Sequence, residues 1–151
     1  IFIVGSDLTI SADQALAKGA DMRHTDWQSD QQMALDYQQD GNFHEAEKCF
    51  ISALAKIKVE LKTVPPSSFA SRYFPLRDEL RALYLNQAVN KEKSQSFAKT
   101  NDLYKKALHM PGAPQQVWEQ YADFLRRNGK EKEADKVEKD GQKHSLYWRN
   151  D

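Results

Sequence analysis

Four histidines, one cysteine and a full set of carboxylates are the side chains from which this chain could build a reactive or metal-binding site. His24, His44, His109 and His144 lie far apart, and none has the H-x3-H or H-E-x2-H spacing that puts two ligands on one helix face. Cys49 falls between Ala46 and Phe50 on an apolar stripe, where a thiol behaves as a core residue rather than a nucleophile. Pro111-Gly112-Ala113-Pro114 reads as a turn between helices, not as a phosphate-binding loop. No carboxylate stands in an apolar setting that would raise its pKa. The residues therefore predict no enzyme, no metal site and no cofactor.

Charge gives no stronger lead. Arg126, Arg127, Lys130 and Lys132 cluster, but Glu131, Glu133 and Asp135 interleave with them. A phosphate-binding surface needs uncompensated charge, so a solvated face is expected here and nucleic acid is not. Lysines share helix faces with glutamates, which argues against binding to a membrane surface. Over the 151 residues Lys plus Arg equals Asp plus Glu, at 22 each, with 40% hydrophobic and 29% charged residues. That balance fits one folded domain and excludes both a disordered chain and a membrane-spanning one. A single cysteine excludes an internal disulfide. The charge is unevenly spread: residues 1–47 carry −7 and residues 48–151 carry +7. The asymmetry predicts either faces that differ by chance or an acidic leader that contacts a basic body or a neighbouring copy.

The elements that would position any site are helical. Ile1-Phe2-Ile3-Val4-Gly5 is too short for a signal or an anchor, and Ser11 to Ala20 reads as a short helix with Ser11 as N-cap. From Trp27 onward Pro and Gly sit only at boundaries and no strand-like alternation appears. Asp36 to Phe43 reads as a helix end and a turn around Gly41. Ala46, Cys49, Phe50, Ala53, Leu54 and Ile57 recur every three or four positions as the apolar stripe of a second helix. The hairpin then returns. Ala34, Tyr37, Gly41, Ala46, Phe50 and Ala53 align in the same register with Ala88, Lys91, Gln95, Thr100, Tyr104 and Ala107. The register returns once more at Ala122, Leu125, Gly129, Ala134, Glu138 and Gly141.

These residues resemble the tetratricopeptide repeat family, whose period is about 34 residues and whose signature runs W-x2-L-G-x2-Y, then A-x3-F, then Pro. Trp118 to Leu125 resembles the first part, and Ala46 to Phe50 the second. Tyr84, Ala88, Phe97, Tyr104, Ala107 and Leu108 resemble the middle repeat. The resemblance implies an all-α fold, a right-handed superhelix of about three hairpins. Its repeats would cover 27–60, 81–114 and 115–148, with an insertion at 61–80, a leader over 1–26 and a tail over 149–151.

The departures are informative. The first repeat lacks its closing Pro, so its second helix should run on through Lys58 to Lys62 until Pro65-Pro66 stops it. Pro75 fits the first turn of a long helix reaching Lys93. Phe69, Tyr73 and Phe74 are expected to pack near Ile57 and Leu61; the alternative is an exposed aromatic patch. Lys91 and Gln95 make the middle turn atypical. Glu138 and Gly141 mark a polar, terminal capping helix, over which Leu146, Tyr147 and Trp148 would fold back.

By the same resemblance the chain is a scaffold or adaptor for protein–protein interaction, with the first helix of each hairpin lining a concave face. Clamp-type members hold a chaperone carboxylate with Lys, Asn and Arg. At those places this chain has Gln31, Leu35, Asn86, Gln116 and Gln120, so only Asn86 matches and no such clamp is expected. The predicted partner-binding face comprises Gln28, Gln31, Gln32, Leu35, Gln38 and Gln39 in the first repeat. The second adds Leu85, Asn86 and Val89, and the third Gln116, Gln120, Asp123 and Arg127. Amides both donate and accept, so the row could bond the main chain of an extended peptide, with binding that barely responds to salt. A competing expectation is a structural subunit docking through the leader, the insertion and the C-terminal aromatics, with possible self-association.

Overall fold

The computed structural model describes residues 25–94 and 96–149, with side chains placed for all of these except 69, 70 and 145–149. The described chain is all-α. Six helices follow in order: α1 (Trp27–Gln39), α2 (Phe43–Thr63), α3 (Phe74–Lys93), α4 (Phe97–His109), α5 (Gln115–Arg127) and α6 (Glu131–Arg149). They pack in consecutive pairs, α1 on α2, α3 on α4 and α5 on α6, and α2 also packs along α3. The leader helix expected at Ser11 to Ala20 lies outside the described residues.

The turn inside each pair is built in the same way. The Tyr37 carbonyl accepts from the Asn42 N–H (2.8 Å), the Lys91 carbonyl from Ser96 (3.5 Å) and the Leu125 carbonyl from Lys130 (2.9 Å). The next helix then starts with Ala46, Thr100 or Ala134 donating to the carbonyl four positions back. Both sets fall at places that the register of the three hairpins makes equivalent. This is the bond pattern that satisfies the last carbonyls of a helix when the chain turns through a left-handed residue. Gly41 and Gly129 supply that residue with φ of 82° and 75°.

Small residues set how closely the helices approach. Ala34, Ala46, Ala53, Ala88, Ala107, Ala122 and Ala134 are fully buried, and the whole predicted stripe from Ala46 to Ile57 is in the core. Gly141 belongs with them: a Cβ there would lie 2.6 Å from Trp118 Cβ. Its place in α6 is thus a close contact with α5, not a mark of a solvated capping helix as its type and setting imply. Glu138 does face the polar side, pairing with Arg126. Helix α6 also continues through Leu146, Tyr147 and Trp148 to Arg149, so these residues extend the helix rather than fold back.

The segment between the first two pairs is largely helical. Helix α2 stops at Thr63, and Val64 is extended (φ −71°, ψ 122°), because the ring of Pro65 disfavours a helical residue before it. A 3-10 turn (Pro66–Ser68) and a π-helical turn (Phe69–Tyr73) then lead without a break into α3, with Pro75 in its first turn. Phe74 does not pack inward as expected: it is 44% exposed, with its ring edge-on to Tyr73 at 5.6 Å and under the Arg77 guanidinium at 5.1 Å.

Two acids of residues 1–47 pair with bases on neighbouring helices of the body, while any contact of residues 1–24 of the leader lies outside the described residues. Asp30, fully buried on α1, pairs with Lys56 at 2.7 Å and accepts from Ser52 at 2.7 Å and from Thr25. Glu47 pairs with Lys91 at 3.1 Å and accepts from Gln87. The first junction between pairs thus includes a polar seam. The second is aromatic: Phe97 stacks on Phe124 and Tyr104 on Tyr121, with centroids 5.1 and 5.5 Å apart.

Candidate functional site

The side chains with possible chemistry are not gathered. His44 and His109 are exposed and His144 is half-buried on three different helices, and His24 lies outside the described residues. Cys49 is sealed in the first pair, and burial, reinforced by Asp30 and Glu45, pushes its thiol up to about 11. Among the described residues no group of three His, Cys, Asp or Glu is arranged to hold a metal ion. No described helix is long and apolar enough to cross a membrane.

What the fold does bring together is the row of first helices. Gln38 on α1 donates to Asn90 on α3 at 3.4 Å, and Asn90, fully buried, donates to the Phe43 carbonyl at 2.9 Å. Arg127 on α5 holds Glu92 on α3 through two bonds of 2.9 and 2.8 Å. Bidentate contact of this kind fixes both side chains, and it holds the Arg127 proton still more firmly. These ties link α1 to α3 and α3 to α5. Near the start of α3 and α5 the row opens into a cavity of about 350 Å³, lined by Ala82, Leu85, Pro114 and Val117 with Asp78, Arg81 and Gly112 at its polar side.

The predicted face is distributed over this row. Gln28, Gln32, Gln39, Gln116, Gln120 and Asp123 are exposed, as is Val89, while Gln31, Leu35, Leu85 and Asn86 are half-buried. Leu35 and Leu85 rest on the core, and Leu85 lines the cavity. Three residues are already engaged within the chain. Gln32 donates to Asp36 at 2.9 Å, Gln38 to Asn90, and Arg127 to Glu92. The row of free amides is therefore shorter than the spacing implied, because intramolecular acceptors lie closer than any peptide.

Arg81 is a residue that periodicity does not single out. It is 4% exposed, yet its guanidinium donates to the carbonyls of Ala107 (3.3 Å), Met110 (3.3 Å) and Pro111 (2.9 Å) and pairs with Asp78 at 3.0 Å. A buried cation at the C-terminal end of α4 satisfies carbonyls that the helix itself cannot. The i,i+3 spacing of Asp78 and Arg81 is the only trace of this in the sequence. Arg126, in the basic cluster, is met by Asp123, Glu131, Asp135 and Glu138, so its charge is fully answered.

No family model, curated protein or solved structure matches this chain.

Proposed function

We propose that the chain is a non-catalytic protein-interaction scaffold of the tetratricopeptide type, its three hairpins wound into a right-handed superhelix. The first-helix row binds an extended segment of a partner protein. The observations behind this reading are the ties that link α1 to α3 and α3 to α5, the accessible amides Gln28, Gln31, Asn86, Gln116 and Gln120 on these helices, and the cavity at Leu85. In this reading the amides bond the partner's main chain and one apolar side chain enters between Ala82, Leu85 and Val117.

The test is selection of binders from a random-peptide display library with the full chain, followed by titration of the best peptide. Leu85→Glu closes the cavity with a charge, and the triple change of Gln31, Asn86 and Gln120 to Ala removes amides that are not engaged elsewhere. Each should weaken binding by about tenfold or more, a cost of about 1.4 kcal/mol. Tight binding retained by both variants would remove the first-helix row as the site. A structural subunit is the second reading, favoured by exposed Phe74 beside Tyr73; it predicts that no library peptide binds.

A further inference from the structure

The face opposite in kind to the amide row lies on the second helices. Along the outside of α2, Lys48, Ile51, Ala55, Val59 and Lys62 follow one another at the three- and four-position spacing that makes a single straight stripe. All five are exposed, and Ile51 and Val59 are 55% and 62% accessible. Two large β-branched side chains on one helix face, two turns apart, keep more than half of their surface in solvent. The same spacing is the one by which a helix docks against a partner helix.

Exposed cations flank the stripe. Lys58 on α2 and Lys106 on α4 converge on one ring, with ammonium groups 5.4 and 5.9 Å from the centroid of Tyr84. Neither forms an ion pair with a described residue, and Lys62 is exposed at the end of the stripe. Three of the four acidic groups on these two helices are engaged within the chain. Glu45 is held by Lys48 at 3.3 Å, Glu47 is turned to Lys91 and Glu60 accepts from Trp27 at 2.7 Å. Asp102, the fourth, is exposed on α4 one turn before Lys106 and offsets part of that charge. Two ammonium groups close to one ring, neither with a carboxylate partner among the described residues, leave positive charge that a partner's carboxylates would answer.

We propose that this stripe docks an acidic amphipathic helix of a partner protein. The partner's apolar residues meet Ile51, Ala55 and Val59, and its carboxylates meet Lys58, Lys106 and Lys62. Protein is favoured over other polyanions for two reasons. The stripe has no aromatic side chain on which bases would stack, and a single line of small and β-branched residues is too narrow for the broad apolar face that enters a lipid surface. The surface is separate from the amide row, so the two readings stand or fall independently.

The experiment titrates the full chain with a synthetic helical peptide bearing Leu at one stripe and Glu on both flanks, and with its Glu→Gln counterpart. A single-stranded oligonucleotide and phosphatidylserine vesicles are the competing probes. The Glu peptide should bind, and its affinity should fall severalfold between low and moderate salt as screening grows. K58E/K106E should weaken it by about tenfold, and I51S/V59S should do so without changing its salt dependence. These are exposed positions, and an unchanged circular dichroism spectrum checks that both variants fold. Equal binding of the Gln peptide, binding retained by both variants, or binding of the oligonucleotide or vesicles alone would overturn the proposal. Salt-sensitive self-association in sedimentation that leaves the peptide unbound would also overturn it, by making a second copy the occupant.

Discussion

Gly141 is the residue at which composition and packing give opposite answers. In an exposed helix, Gly→Ala gains about 1 kcal/mol, since alanine restricts the unfolded chain and favours the helix. Here the new Cβ would meet Trp118 Cβ at 2.6 Å and Cγ at 2.8 Å, atoms fixed close to the backbone of α5. Overpacking of that kind typically costs about 1–3 kcal/mol, and it outweighs the propensity gain. Gly141→Ala should therefore lower the thermal midpoint, with a shift in Trp118 fluorescence. A raised midpoint would mean that α5 and α6 separate without penalty. Trp118 is readable as a repeat-signature residue from the sequence; the need for Gly141 opposite it is not, because a glycine in a polar helix carries no periodic signal.

At the scale of elements, the turns decide how the pairs are joined. Gly41 and Gly129 both adopt positive φ, and a Cβ at either would meet nothing within 4 Å. Their cost of substitution is therefore conformational alone, about 1–2 kcal/mol for an L-residue in the left-handed region. Gly41→Ala and Gly129→Ala should each destabilise by about 1 kcal/mol in denaturant titrations, with Asn milder than Ala at both. Equal effects of Asn and Ala would show that something other than φ is responsible. The middle turn, at the position of Gln95, has no glycine, yet the Lys91 to Ser96 bond is formed there. The buried Arg81 strengthens the same pair from its other end by closing the carbonyls that follow α4. Sequence periodicity locates these helices; it does not show that a cation from α3 terminates α4.

Across the whole molecule, one group in each pair should make stability depend on alkaline pH. Cys49 lies in the first pair, Tyr104 in the second and Tyr121 in the third. Burial is the leading cause in all three, raising Cys49 to about 11 from 9.0 and both tyrosines above their ordinary 10.0. A raised pKa means that the folded chain keeps a proton the unfolded chain releases. For Cys49, stability is then fully present below about pH 9 and is lost as pH rises through about 11. The loss is of order 2 kcal/mol, and Cys49→Ala should flatten that part of the profile when denaturant midpoints are compared between about pH 8 and about pH 11. A variant with the same slope as the parent chain would show that the thiol ionises as readily in the folded chain as in the unfolded one.

The chain by itself determined its helices, their pairing and their core. Apolar residues at three- and four-position intervals from Ala46 to Ile57 can be buried only by a helix, and Gly41, Pro65 and Pro75 punctuate it by backbone geometry alone. These are local rules, so they are written in adjacent residues. The candidate binding face was half legible: spacing placed the glutamines, Leu35, Leu85 and Val89 on the first helices. Only the tertiary structure decided which of those groups stay available. Glu92 reaches Arg127 across two helices, Asn90 takes the amide of Gln38, and Lys58 and Lys106 each approach the Tyr84 ring from different helices. A hydrogen bond or a charge contact depends on distances of a few ångströms between such distant segments, and periodicity within a helix contains no measure of that separation.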